Sequence, residues 1–192
     1  MADWLAETGT ARVVLWSRSG PGAPGTARRA ARLAARGTAV AVLAGDVARR
    51  DDVAGLLAWT AADGPALTGV MHTAGVVDDG VLAGMTPERL ATVLAPKAGG
   101  AAHLDELTAG LDLSAFVLFS SATAVFGGGG QGNYAAANAY LDALAEQRRA
   151  RGLAATSVEW GVWAGGGMAE ADGEVRRRVG RGPLRAMDPR PR

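Results

Sequence analysis

Five short apolar runs recur along the chain, each continuous rather than alternating with polar residues. They are Arg12-Val13-Val14-Leu15-Trp16, Ala39-Val40-Ala41-Val42-Leu43-Ala44, Gly69-Val70-Met71-His72, Ala115-Phe116-Val117-Leu118-Phe119 and Thr156-Ser157-Val158-Glu159-Trp160. Runs of this length without alternation predict strands buried on both faces, as in a parallel sheet covered by helices. The stretches between them, Thr26 to Arg36, Asp51 to Ala62, Thr86 to Ala109 and Tyr134 to Arg151, are alanine-rich and helical in composition. Strand and helix therefore alternate, which predicts a doubly wound α/β domain. One helix start is well marked: Thr86 suits the cap, Pro87 the first helical position, and Glu88 the positive end of the helix dipole.

The two ends depart from that regularity. Residues Ala2 to Glu7 read as the tail of a helix that leads into the Val13 strand. A nucleotide-binding fold of this kind opens with a strand and a glycine-rich turn, and neither precedes them. The expected architecture is thus a Rossmann-like parallel sheet lacking its first strand and glycine turn, with residues 1–169 as its core. Such a loss leaves the Val13 and Val70 strands without a shared neighbour, so weak cofactor binding by this chain alone is expected. Residues Glu170 to Arg192 are polar and arginine-rich and are expected to form a mobile lid or C-terminal segment. Gly127-Gly128-Gly129-Gly130-Gln131-Gly132 formally contains G-x-G-x-x-G, but a glycine run satisfies that pattern trivially. It is read as a flexible loop.

Composition narrows the class. With 192 residues, 48% of them hydrophobic, the chain fits one domain with a sizeable core. A net charge of +1 gives no reason to expect nucleic acid or an anionic membrane surface as partner. No cysteine is present, so neither a disulfide framework nor a thiolate metal site is expected, and no metal is assigned. No apolar run has the length of a membrane span, and no signal peptide is visible, so a cytoplasmic location is expected.

Candidate chemistry gathers in the second half. Tyr134 and Asn138 lie one helical turn apart and share a face. Ser120-Ser121 closes the strand before them, where α/β sheets place ligands. Lys97, the single lysine among 20 basic residues, sits on the preceding long helix. A cation near a phenol favours the phenolate and so makes the tyrosine a stronger acid than its usual pKa of about 10 implies.

These residues carry a resemblance. Short-chain dehydrogenases place a lysine four residues after the tyrosine; here Asn138 stands there and the lysine lies upstream in Ala95-Pro96-Lys97. That exchange resembles the ketoreductase domains of modular type I polyketide synthases and animal-type fatty acid synthases. The stretches Leu118-Phe119-Ser120-Ser121, Gly132 to Asp142 and Val158-Glu159-Trp160-Gly161-Val162-Trp163 resemble them as well, and the likeness runs from about Trp4 to Pro189. The resemblance implies an NADPH-dependent reduction of a β-ketoacyl phosphopantetheine thioester. The thioester is borne by an acyl carrier protein, beside other polyketide synthase domains. By it, Tyr134 donates the proton and Ser121 holds the ketone oxygen. Lys97 holds the ribose and lowers the tyrosine pKa, and Asn138 supports the relay. Ser17 and Arg18 are expected at the adenosine phosphate, where an arginine fork suits NADPH. Asp46 and Val47 are expected at the adenine, and His72, Ala74 and Gly75 along the ribose and nicotinamide, with no proton transfer by His72.

Val77-Asp78-Asp79 resembles the Leu-Asp-Asp fingerprint of B-type ketoreductases, with valine for leucine, and Phe126 stands where A-type enzymes carry tryptophan. Asp79, Phe126 and Met168 are accordingly expected to govern substrate orientation, toward a D-configured hydroxyl. The alternatives are an inactive truncated remnant of such a domain and a free-standing short-chain dehydrogenase. Asn138 argues against the latter.

Overall fold

A computed structural model of the protein describes residues 1–164 and 186–188. In chain order the elements are α1 (Ala2–Glu7), β1 (Arg12–Ser17), α2 (Thr26–Ala34), β2 (Ala39–Ala44), α3 (Arg50–Ala62), β3 (Gly69–His72) and α4 (Pro87–Leu94). A π turn (Ala95–Gly99) follows, then α5 (Gly100–Thr108), β4 (Ala115–Ser121), α6 (Thr123–Phe126), α7 (Gly132–Ala150) and β5 (Thr156–Trp160). The chain divides into two compact units, Met1–Leu67 with His103–Leu111, and Thr68–Ala102 with Asp112–Arg192.

In the first unit β1 and β2 pair in parallel, from Arg12 opposite Ala39 to Ser17 opposite Ala44. Leu33 of α2 and Val53 of α3 are fully buried, and Val13 and Val47 nearly so. Asp51 and Asp52 occupy the first turn of α3, where carboxylates offset the helix dipole. Arg12 ties the end of α3 to the sheet through Asp63 at 2.7 Å and lies over the Trp59 ring.

In the second unit β4 is central, paired in parallel with β3 on one side and β5 on the other. Burial alternates along β4, with Phe116, Leu118 and Ser120 pointing into the interior. The buried positions of α7 are Asn133, Tyr134, Ala137, Asn138, Leu141, Leu144, Ala145 and Arg148, a stripe at helical spacing. Arg148 is buried at the far end of that stripe. Its guanidinium stacks on Phe116 at 3.9 Å and donates to the Ala154 carbonyl, which meets the requirement that a buried charge keep its hydrogen bonds.

All five strands and the Thr86 cap lie where the sequence predicts them; Thr86 Oγ1 accepts from the Arg89 amide. Two details differ. The helix expected over Thr86 to Ala109 is interrupted by the π turn, which holds Pro96 and Lys97, and Gly100 N–H there reaches back to the Ala95 carbonyl. A short helix, α6, lies between β4 and the glycine loop, where the sequence predicts no element. Among the described residues β1 pairs with β2 alone and β3 with β4 alone. Most of the segment expected to be mobile, and Met168 with it, lies outside the described residues. Met187, which is described, bridges to Trp163 and exchanges backbone bonds with Val162 and Ala164. No described helix is long and apolar enough to cross a membrane.

Candidate active site

The site is built at the carboxyl end of β4. Ser120 points inward and donates to the Asn138 carbonyl, which fastens α7 to the strand. Alternation then turns Ser121 the other way. Its hydroxyl, half-buried, donates to Thr123 Oγ1 and accepts from the Thr123 amide, both at 3.2 Å, so α6 starts on it. Tyr134, which shares the buried face of α7 with Asn138, meets this serine. Asn138 Nδ2 donates to the Tyr134 carbonyl at 2.8 Å, whereas its Oδ1 is buried without a partner among the described residues. The Tyr134 ring packs with Val93 and Ala137, flanked by Val76, Val77 and Leu94.

Lys97 is only 3% exposed, and its ammonium donates to the Phe119 carbonyl at 2.9 Å and stands 5.3 Å from the Tyr134 ring centroid. Burial pushes its pKa down to about 8, against the pull of the Asp142 charge. Burial also raises the pKa of Tyr134; hydrogen bonds from Asn138 and Ser121 work against it, and the charge of Asp79 adds to it. The phenol is thus protonated at neutral pH. The lowering expected of Lys97 does not prevail here, since burial is the largest influence on the phenol. A Cβ at Gly75 would lie 3.4 Å from Lys97 Nζ, so the absent side chain leaves room beside the ammonium.

His72 is buried at the end of β3, and its Nε2 lies 2.9 Å from the Lys97 carbonyl. Desolvation lowers its pKa to about 4. Ala74 and Gly75 follow, half-buried. Asp78 and Asp79 lie on the next loop. Arg89 grips this loop, with bonds of 2.6 and 3.0 Å to the Asp78 carboxylate, 2.6 Å to the Asp79 carbonyl and 3.3 Å to the Gly84 carbonyl. Asn133 Nδ2 donates to the Asp78 carbonyl, Gln131 Nε2 to Asp79 Oδ2, and Gly80 N–H to the Gly130 carbonyl at 2.7 Å. The glycine loop is therefore latched to the acidic loop. Phe126 is 71% exposed on α6. Arg89, Asn133 and Gln131 carry no sequence signal that sets them apart from surface polar residues.

In the first unit Ser17 ends β1 with Arg18 after it, and Asp46 and Val47 follow β2, at the same end of that paired sheet. Ser17 Oγ accepts from the Gly20 amide, and Arg18 is exposed. Gly20 has φ +47°, and a Cβ there would meet the Ala44 backbone within 2.9 Å, so the turn after β1 requires glycine. Asp46 Oδ1 accepts from the Ala48 amide, and the Val47 carbonyl lies 3.1 Å from His103 Nδ1. No cluster of three or more His, Cys, Asp or Glu that could hold a metal occurs among the described residues.

Residues 1–165 match the family model described as KR domain. The chain belongs to the KR domain family. This KR domain is 59% identical to polyketide synthase GfsB of Streptomyces halstedii over 159 residues, which is 83% of this chain and 3% of GfsB. It is 49% identical to the pikromycin polyketide synthase component PikAII of Streptomyces venezuelae over 187 residues, 94% of this chain and 5% of that protein. Among solved structures, one titled as A-type ketoreductases from a modular polyketide synthase has a TM-score of 0.92 and 53% identity, covering 98% of this chain and 39% of that one. The first ketoreductase of the tylosin synthase has a TM-score of 0.88 and 52% identity, covering 98% of this chain and 40% of that one. The KR domain thus spans between 2% and 12% of the curated synthases most similar to it, and its parallel α/β architecture is that of Rossmann-like ketoreductases.

Proposed function

We propose that this KR domain reduces the β-keto group of an acyl thioester to a β-hydroxyacyl thioester in polyketide assembly, with NADPH as reductant. The carrier of the thioester is an acyl carrier protein, the neighbours are other synthase domains, and the location is cytoplasmic. The observation that carries this reading is the convergence of Ser121, Tyr134 and Asn138 beside a buried lysine. When bound, NADPH supplies the hydride to the ketone carbon. Tyr134, protonated at neutral pH, donates its phenolic proton to the ketone oxygen, and Ser121 holds that oxygen. Asn138 belongs to the relay that returns a proton to the phenolate.

The residues present suit the cofactor. The space left by Gly75 beside the Lys97 ammonium matches a ribose hydroxyl, and the unpartnered Asn138 Oδ1 is a buried acceptor that calls for a donor from solvent or ligand. In the first unit Arg18, at an exposed turn with Ser17 before it, has no carboxylate partner among the described residues, and no Asp or Glu stands at that turn to favour an unphosphorylated ribose. Asp46 and Val47 are assigned to the adenine, and His72, Ala74 and Gly75 to the stretch along the ribose and nicotinamide. The fingerprint Val77-Asp78-Asp79 and Phe126 support a B-type product, with Asp79, Phe126 and Met168 as its determinants.

The test is Tyr134→Phe in the full chain, assayed with a β-ketoacyl thioester. Reduction is expected to fall about 10²–10⁴-fold while NADPH affinity stays the same. Turnover within a factor of two of the parent overturns the assignment.

A further inference from the structure

We infer that His72 is a positioning residue for the active-site lysine: its imidazole pins the π turn and so aims the Lys97 ammonium. The inference rests on the proposed role of Lys97 at the cofactor ribose. It gives His72 a different task from lining the cofactor, since the ring acts through the lysine.

The π turn is where an uninterrupted helix is broken by one extra residue, a feature frequent at functional sites. Left to itself, such a turn is poorer in hydrogen bonds than the α-helices on either side, and Pro96 within it has no N–H to give. The Lys97 carbonyl accepts from the Gly100 N–H within the turn and has a second partner outside the helix, His72 Nε2 at 2.9 Å. A carbonyl only accepts, so Nε2 carries the proton and the ring is the donor. Burial keeps the ring neutral at working pH, with its pKa at about 4, so one tautomer persists.

The other end of the lysine is held by the neighbouring strand. Lys97 Nζ donates to the Phe119 carbonyl, and in the β3–β4 register His72 lies opposite Leu118, next to Phe119. Two adjacent strands of one sheet thus hold the backbone and the tip of one side chain whose flexible stem would otherwise sample many rotamers. Gly75, three residues beyond His72, leaves the room the ammonium needs. The stretch His72-Thr73-Ala74-Gly75 therefore addresses Lys97 at both ends.

The experiment compares His72→Gln, His72→Asn and Lys97→Met in the full chain, with acetoacetyl N-acetylcysteamine thioester as substrate. Glutamine places an amide donor near the position of Nε2; asparagine places it near Nδ1, short of the carbonyl. His72→Asn is expected to raise the KM for NADPH roughly tenfold and to lower kcat, as loss of a buried hydrogen bond would, in the same direction as Lys97→Met. His72→Gln is expected to recover part of that loss, with a KM for NADPH below that of His72→Asn. A merely structural role would lower thermal stability and the active fraction, hence kcat, equally in both amides, with KM unmoved. An unchanged KM in His72→Asn beside a raised KM in Lys97→Met overturns the inference alone. An unchanged KM in Lys97→Met overturns the role of the lysine, and this inference with it.

Discussion

His72 refuses a proton that the unfolded chain would accept. Its folded pKa of about 4 lies below the ordinary 6.5, chiefly because of burial, so the unfolded state binds more protons between those values. Stability contributed by the neutral ring is present in full above pH 6.5 and drains away as pH falls toward 4, to a total of about 3 kcal/mol. Urea unfolding at pH 7 and pH 4.5 checks this: the loss on acidification should shrink in His72→Gln, and an equal loss in both proteins refutes it. At this scale the sequence tells which residues matter better than what they touch. Tyr134 and Asn138 are legible because one helical turn separates them, and Lys97 because no other lysine competes. The bond from His72 to the Lys97 carbonyl is not legible, since it joins positions far apart through a backbone atom that any residue supplies.

The strands are the elements most plainly written in the sequence, because a parallel sheet covered on both faces demands unbroken apolar runs. The break in the helix over Thr86 to Ala109 is hidden, because alanine-rich sequence suits α and π hydrogen bonding alike and a one-residue insertion barely disturbs the apolar period. Helix α6, four residues long, is too short to show any period. The acidic loop offers a test at this scale. Arg89 holds the Asp78 carboxyl below its ordinary 3.8, so the anchor persists at neutral pH and is released only as pH falls through that lowered value. Replacing Arg89 with methionine removes the bonds to Asp78, Asp79 and Gly84 together. Amide hydrogen exchange over residues 78–84 should then quicken at pH 7, while α7 beyond its first turn stays protected. Unchanged exchange in that loop would show that Gln131, Asn133 and the Gly80–Gly130 bond suffice to hold it.

At the scale of the whole chain, the predicted doubly wound α/β class agrees with the two parallel sheets and with the ketoreductase structures it resembles over nearly its full length. What periodicity does not convey is that the strands fall into two groups, β1 with β2 and β3 with β4 and β5, since strand order depends on long-range pairing. Among the described residues each group ends in a strand with one hydrogen-bonding side unmatched. Such an edge is a template for another chain, and encounters between chains grow with the square of concentration while folding within one chain does not depend on it. The 192-residue chain by itself should therefore change with dilution: its apparent mass should exceed the 19.4 kDa of one copy in concentrated solution and return toward it when diluted. Sedimentation velocity across a hundredfold range of concentration reads this directly, and a single-copy mass throughout would mean that these edges are closed to other molecules.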